Sequence, residues 1–421
     1  MTDETRAPEP DSGQGAGRDD ERAGGRADER DPRQDPELDS ELDSEQAERD
    51  RERRRLAAWR GAGRKLTRGA ADPTLREHLA WLAEHAEAVY DLDGPADIYG
   101  NGVVAELERR VADLLGTADA AFFPSGTMAQ QVALRCWAGR TGNPVVALHP
   151  QAHPEVHEGD ALQVVSGLRV VHTTAERRQP TAAEVAALPE PFGTLMLELP
   201  LREPGFLLPS WEELTELVAA ARERDAVVHF DGARLWETTA HFGRPLAEIA
   251  GLADSVYVSF YKSLGGHSGA ALAGPAELVA EARVWRHRYG GQVFRQFPAA
   301  LSALIGLERE LPLLPSYVAH ARVVAQGLRE GFEAAGVPWF RVHPEAPHTH
   351  QFQVWLPYPA DALTEAGVRQ AEEDGVALFR RWFEDGPPGV AVTEVTVTAE
   401  ALEWTAADVR EAVRGFVGRV V

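Results

Sequence analysis

From Ala120 onward, short apolar runs alternate with stretches of helical period. Residues 120–123, 145–148, 168–172, 195–199, 227–230 and 256–260 are apolar almost throughout, and 270–273 is a further candidate strand. Strands without polar alternation are covered on both faces, and helices between them imply crossovers. The pattern therefore predicts an α/β fold with a mostly parallel sheet. Helical period also marks residues 75–89 and 103–115, and a further helix begins at Thr127. Residues 211–224 form an amphipathic helix opened by a capping box, with Ser210 as N-cap and Glu213 three positions on. The stretch 237–250 suits a crossover helix. After about residue 300 the pattern changes to a long helical region, 300–336, followed by candidate strands 352–356 and 390–397. This predicts a small C-terminal α+β domain over 301–421, following a large domain over 56–300 that includes an N-terminal helical segment. Residues 1–55 hold almost no large apolar side chain, too few to offset the entropy of ordering, so a disordered charged tail is expected there.

Charge and composition narrow the function. A formal net charge of -23 opposes nucleic acid as a partner, because phosphate backbones need a basic face. The single cysteine, Cys136, rules out an intramolecular disulfide and fits a cytoplasmic location. No apolar run reaches about 18 residues, and no apolar signal core opens the chain, so neither a membrane partner nor export is expected. Of 43 Lys and Arg residues only Lys65 and Lys262 are lysines. Arginine stays protonated, whereas lysine can lose its proton and form a Schiff base. Lys65, in the basic pair Arg64-Lys65, reads as chance. Lys262 ends an apolar strand and reads as chemistry.

Four segments carry candidate chemistry. In Phe122-Phe123-Pro124-Ser125-Gly126-Thr127 a strand meets a tight turn and a helix start, whose N–H groups and hydroxyls suit a phosphate. An ordinary N-cap gives the same pattern. In Val228-His229-Phe230-Asp231-Gly232-Ala233-Arg234, Asp231 stands at the carboxyl end of a strand, where open α/β sheets bind ligands. It can pair with Arg234, bind a metal, or face a protonated pyridine nitrogen. In Ser259-Phe260-Tyr261-Lys262-Ser263-Leu264-Gly265-Gly266 the lysine ends the next strand. A right-handed crossover would bring it to the same sheet edge as Asp231. His149, His153 and His157 recur every fourth residue, but Pro150 and Pro154 oppose a continuous metal-binding helix face. No metal is expected. A single histidine stacked on a cofactor ring and moving protons is the better reading.

These pieces, in this order, resemble the threonine aldolase / β-eliminating lyase group of pyridoxal-phosphate (PLP) enzymes. Supporting segments are Tyr99-Gly100, Leu107-Glu108, Pro124 to Ala129, His153 with Glu158-Gly159, Asp231 to Leu235, Gly290-Gly291 and Arg295-Gln296. The resemblance implies the aspartate-aminotransferase-like fold (PLP fold type I), with a mostly parallel seven-stranded-type sheet in the large domain. It implies pyridoxal 5'-phosphate as cofactor, with Lys262 as its covalent holder and Asp231 on its ring nitrogen. Arg234 would contact its phenolate oxygen, and Ser125, Gly126 and Thr127 its phosphate. His153 would stack on the ring and serve as acid and base. Arg295 would lie near a phosphate, that of a neighbouring subunit in a dimeric or tetrameric homo-oligomer.

The resemblance has gaps where the family holds its substrate. The opening Leu-Arg-Ser-Asp-Thr-Val-Thr segment is absent, and Leu199-Pro200-Leu201-Arg202-Glu203 replaces an Asn-Thr-His-Asn-like stretch. No arginine leads the Val392-Thr393-Glu394 strand, so Arg202 and Arg381 become candidates for the substrate carboxylate. Three readings follow. One is aldolase-like cleavage of a β-hydroxy-α-amino acid to glycine and an aldehyde. Another is β-elimination or transamination on the same scaffold. The third is a non-catalytic regulatory or binding module.

Overall fold

Seven strands assemble into one sheet that organises the larger part of the molecule: β1 (Asp119–Phe123), β2 (Val145–Leu148), β3 (Arg169–His172), β4 (Thr194–Glu198), β5 (Val227–Gly232), β6 (Ser255–Ser259) and β7 (Ala270–Gly274). Their spatial order is β1-β7-β6-β5-β4-β2-β3. All neighbours run parallel except β7, which is antiparallel to β1 and β6. The computed structural model describes residues 36–67, 73–384 and 386–420, without the side chains of residues 36–44. The strands β1, β2 and β4 to β7 are buried nearly throughout, as their apolar sequences require when helices cover both faces. Only β3, at the edge, exposes its ends, Arg169 and His172.

The helix Gly126–Thr141 is tied to this sheet through a buried neutral histidine. His229, on β5, donates from Nε2 to Gln130 Oε1 (2.7 Å) and accepts at Nδ1 from Ser255 Oγ (2.8 Å), which itself accepts from Trp137 Nε1 (2.7 Å). Burial drives His229 down to about 3, so it stays uncharged and the network stays intact. The sheet thereby fixes the helix start that follows β1.

The crossover between β5 and β6 differs from the single helix expected. It is a 3-10 turn (Leu235–Glu237) and two short helices, Thr239–Phe242 and Leu246–Ala250. Gly243, left-handed at φ 62°, ends the first helix, and Pro245 precedes the second. The long helical region after residue 300 is likewise split, into Phe297–Arg309 and Leu314–Ala334, by a 3-10 turn containing Pro312.

A second apolar core lies around the antiparallel sheet β8 (Arg341–His343), β9 (Gln351–Leu356) and β10 (Ala391–Thr396), ordered β10-β9-β8. Leu314 and Tyr317 belong to the first core and Ala321 onward to the second, so one helix contributes to both cores. The segment before residue 68 also departs from expectation. Leu66 packs in the second core, and Arg64–Lys65 pairs in parallel with Val376–Ala377, so this segment joins the C-terminal elements.

Residues 1–35 of the expected disordered tail lie outside the described residues, but Pro36–Gly61 is a helix. Apolar content argued against order there, yet a polar helix needs none when strong helix formers pair at i,i+4, as Arg49 does with Glu45 (2.6 Å). Its last turns are anchored: Arg54 bonds Glu365 (2.9 Å) and Glu372 (2.8 Å), and Ala58 and Trp59 pack on Val368 and Ala371. Among the described residues no helix is long and apolar enough to cross a membrane.

Candidate active site

Three adjacent parallel strands bring three ionisable groups to one edge of the sheet. β4 ends in Glu198, whose register partner on β5 is Asp231. Asp231 in turn pairs in register with Tyr257 on β6, and the chain leaving β6 carries Lys262. Parallel crossovers of one hand return each strand the same way round, so residues at strand carboxyl ends converge however far apart they stand in sequence.

The convergence shifts all three groups. Burial, then the nearby charge of Arg234, lowers Lys262 to about 8, against the opposing pull of Asp231 and Glu198. Burial raises Asp231, opposed by the charges of Lys262 and His153 and by the Ala233 N–H, 3.2 Å from Oδ1. Burial and the Asp231 charge raise Glu198 to about 7. The backbone N–H groups of His153 (2.8 Å) and Arg202 (3.2 Å) oppose this. Glu198 escaped sequence reading, although its signal matches that of Asp231: one carboxylate closing an otherwise apolar strand.

His153 enters the same cluster. Its Nδ1–H donates to Glu158 Oε1 (3.2 Å), and the carboxylate is itself buried and bonded to Gln131 Nε2 (3.3 Å). That bond leaves Nε2 free to exchange a proton. The other two histidines turn elsewhere, His149 to the Glu176 carbonyl (2.8 Å) and His157 to Glu203 (2.8 Å). Their hydrogen bonds thus go to separate partners, although the His153 and His157 rings lie 5.2 Å apart.

No ion pair joins Asp231 to Arg234 among the described residues. Arg234 lies 5.1 Å from the Phe206 ring, with its Nε buried and without a partner. Ser125 caps the helix Gly126–Thr141, its Oγ accepting from the Met128 N–H (3.3 Å). A Cβ at position 126 would collide with the Tyr257 hydroxyl, so only glycine fits this close approach to β6.

The candidate substrate arginines share one cavity of about 350 Å³, together with Arg380, which the sequence did not point out. Arg202 is held there by Glu203 (2.7 Å) and Glu394 (2.9 Å), while Arg381 is exposed and covers the Phe383 ring (5.1 Å). Arg295 is exposed, at φ 58°, its N–H on the Ile98 carbonyl (2.9 Å) and its guanidinium over Phe294, and it bonds no member of the cluster among the described residues.

The donor set suits one kind of occupant. An amine that deprotonates near neutral pH, a buried carboxylate facing it, an orphaned arginine N–H and a glycine-opened helix start fit an aldehyde-bearing, protonatable aromatic phosphate, which is pyridoxal phosphate.

Known proteins point the same way. Residues 86–354 match the family model described as β-eliminating lyase. A crystal structure assigned as an L-allo-threonine aldolase of Listeria monocytogenes EGD-E is 34% identical, with TM-score 0.78, over 87% of this chain and 99% of its own. Low-specificity L-threonine aldolase 1 of Arabidopsis thaliana is 25% identical over 70% of this chain and 83% of its own. A variant of serine palmitoyltransferase from S. paucimobilis, solved with a bound PLP–myriocin aldimine, shares the fold at 19% identity and TM-score 0.58, over 85% of this chain and 86% of its own. With the family model spanning well over half of the sequence, this chain belongs to the β-eliminating lyase family.

Proposed function

We infer that this chain is a PLP-dependent lyase that cleaves a β-hydroxy-α-amino acid between Cα and Cβ, giving glycine and an aldehyde as a threonine aldolase does. The observation that carries the reading is the placement of Lys262, lowered to about 8, against buried Asp231 in a chain of this family. When bound, the cofactor supplies a cationic ring that draws electrons from the bond breaking at Cα.

The residues divide the remaining work. Lys262 reaches its neutral, nucleophilic form near physiological pH and so would hold the cofactor aldehyde covalently. Asp231 would present the negative charge that keeps a ring nitrogen protonated, and Arg234 has an unpartnered Nε–H that would reach the ring's phenolate oxygen. Ser125, Gly126 and Thr127 offer hydroxyls and helix-start N–H groups to the phosphate. His153, oriented by Glu158, takes the β-hydroxyl proton as the Cα–Cβ electrons leave for Cα, which is then protonated. Arg202, close enough to Lys262 to lower it further, is the arginine proposed for the substrate carboxylate. Arg295 bonds no member of this cluster among the described residues, which is consistent with service to a neighbouring subunit in a homo-oligomer.

The test is an absorption spectrum of the purified protein with PLP, then glycine and aldehyde assays on threonine. A visible band that disappears in Lys262→Ala, together with aldehyde release, is expected. No band after adding PLP would overturn the reading.

A further inference from the structure

The cavity that contains Arg202 holds more positive charge than one carboxylate requires. Its walls carry Arg202, Arg380 and Arg381 against a single carboxylate, Glu394. That carboxylate is spent on Arg202 (2.9 Å), as is Glu203 (2.7 Å). Arg381 has the Phe383 ring and no carboxylate among the described residues. Arg380 has no hydrogen bond or ion pair among the described residues, and its Nε is buried. A guanidinium N–H buried without a partner is costly, and the planar fork that carries it matches a carboxylate or phosphate. The Thr67 hydroxyl accepts from the Thr396 N–H (2.8 Å), which leaves its own O–H to donate into the same space.

The cavity also reaches the chemistry. Arg202 forms its wall, bonds Glu198 through its backbone N–H (3.2 Å), and lies within electrostatic reach of Lys262. At about 350 Å³ it has room for the end of a side chain. The α-carboxylate of an amino acid occupies one bidentate arginine, and Arg380 and Arg381 remain.

We propose that this cavity binds a second anionic group, carboxylate or phosphate, at the far end of the substrate side chain. The preferred substrates are then acidic β-hydroxy-α-amino acids, and the aldehyde product carries the acid. This rests on the lyase reading above. With β-hydroxyglutamate, the β-hydroxyl proton leaves to the base, Cα–Cβ breaks, Cα gains a proton, and glycine and 3-oxopropanoate form.

The experiment compares kcat/KM of the PLP-loaded enzyme for β-hydroxyglutamate and for threonine, in wild type and Arg380→Met. Charge-assisted hydrogen bonds predict that the acidic substrate is favoured by at least about tenfold, and that Arg380→Met lowers this ratio by about tenfold. Arg381→Met, more exposed, moves the ratio the same way and serves if the first variant fails to fold. A ratio near unity in wild type, or one untouched in both variants, overturns the proposal. So does inorganic phosphate that raises turnover of threonine to that of the acid, because the cavity then takes a free anion. Calorimetric binding of the same two amino acids needs no turnover: tighter binding of the acid, lost in the variant, supports the site, and equal binding overturns it. Absence of glycine from both substrates would sink the lyase reading while leaving this binding comparison decisive.

Discussion

Glu198 and Asp231 are register partners at the carboxyl ends of the adjacent parallel strands β4 and β5, both buried. Two carboxylates so placed cannot both ionise cheaply, and burial raises each. The pair therefore retains a proton toward neutral pH until a cation is brought against it. A protonated ring nitrogen facing Asp231 is such a cation, so the pair favours a cationic ligand by its own repulsion.

The raised Glu198 carboxyl has a pH signature, set first by burial and then by the Asp231 charge. A carboxyl raised when folded binds a proton the unfolded chain has already lost, so stability falls as pH rises from the ordinary carboxylate range through about 7. Glu198→Gln removes the penalty. In the cofactor-free protein the variant should gain on wild type by up to about 3 kcal/mol above pH 7, the advantage fading toward about pH 5. Urea unfolding across that range tests it, and parallel curves would show that Glu198 is not raised on folding.

His153 is the proposed base. His153→Phe should keep the visible cofactor band while aldehyde release from threonine falls by about 10²- to 10⁴-fold. Full turnover in the variant would move the role to another group.

Asp231→Ala should lose the cofactor or its activity, because the site then holds a cation without its counter-charge, a loss of about 3–5 kcal/mol. PLP content after gel filtration is the readout. Unchanged occupancy and rate would remove Asp231 from the cofactor site.

A buried pair links the lysine loop to the C-terminal elements. Ser263, next to Lys262, donates to Glu237, and His350 Nε2 lies 3.0 Å from the same carboxylate, within ion-pair distance. Burial alone would lower His350, but the Glu237 charge and the Val397 carbonyl (2.7 Å from Nδ1) outweigh it and raise it. A histidine raised on folding contributes stability that is full below its unfolded pKa of about 6.5 and is lost as pH rises through the folded value. Wild type should therefore lose this contribution between about pH 6.5 and the raised value, and Glu237→Gln should abolish that slope. Unfolding midpoints that differ by a constant amount at every pH would exclude the pair as their cause.

Local pattern was enough for most elements and for half of the site. Apolar runs marked all seven strands of the large sheet, six of which are buried nearly throughout and so hold few polar residues. The scarcity of lysine exposed Lys262, and the polar ends of two strands made Asp231 and Glu198 visible in principle, though only Asp231 was read. Pairing was not legible. Neither the contact between Glu198 and Asp231, nor the orphaned Arg234 Nε, nor the gathering of Arg380 with Arg202 follows from spacing, since each depends on which strands adjoin and how the C-terminal elements close against them. The early helix also escaped: composition measures whether a segment can build a core, not whether it can lean on one built by Val368 and Ala371 far along the chain. Residue chemistry and period are written locally, while charge shifts and cavities arise from burial, which only the tertiary packing decides.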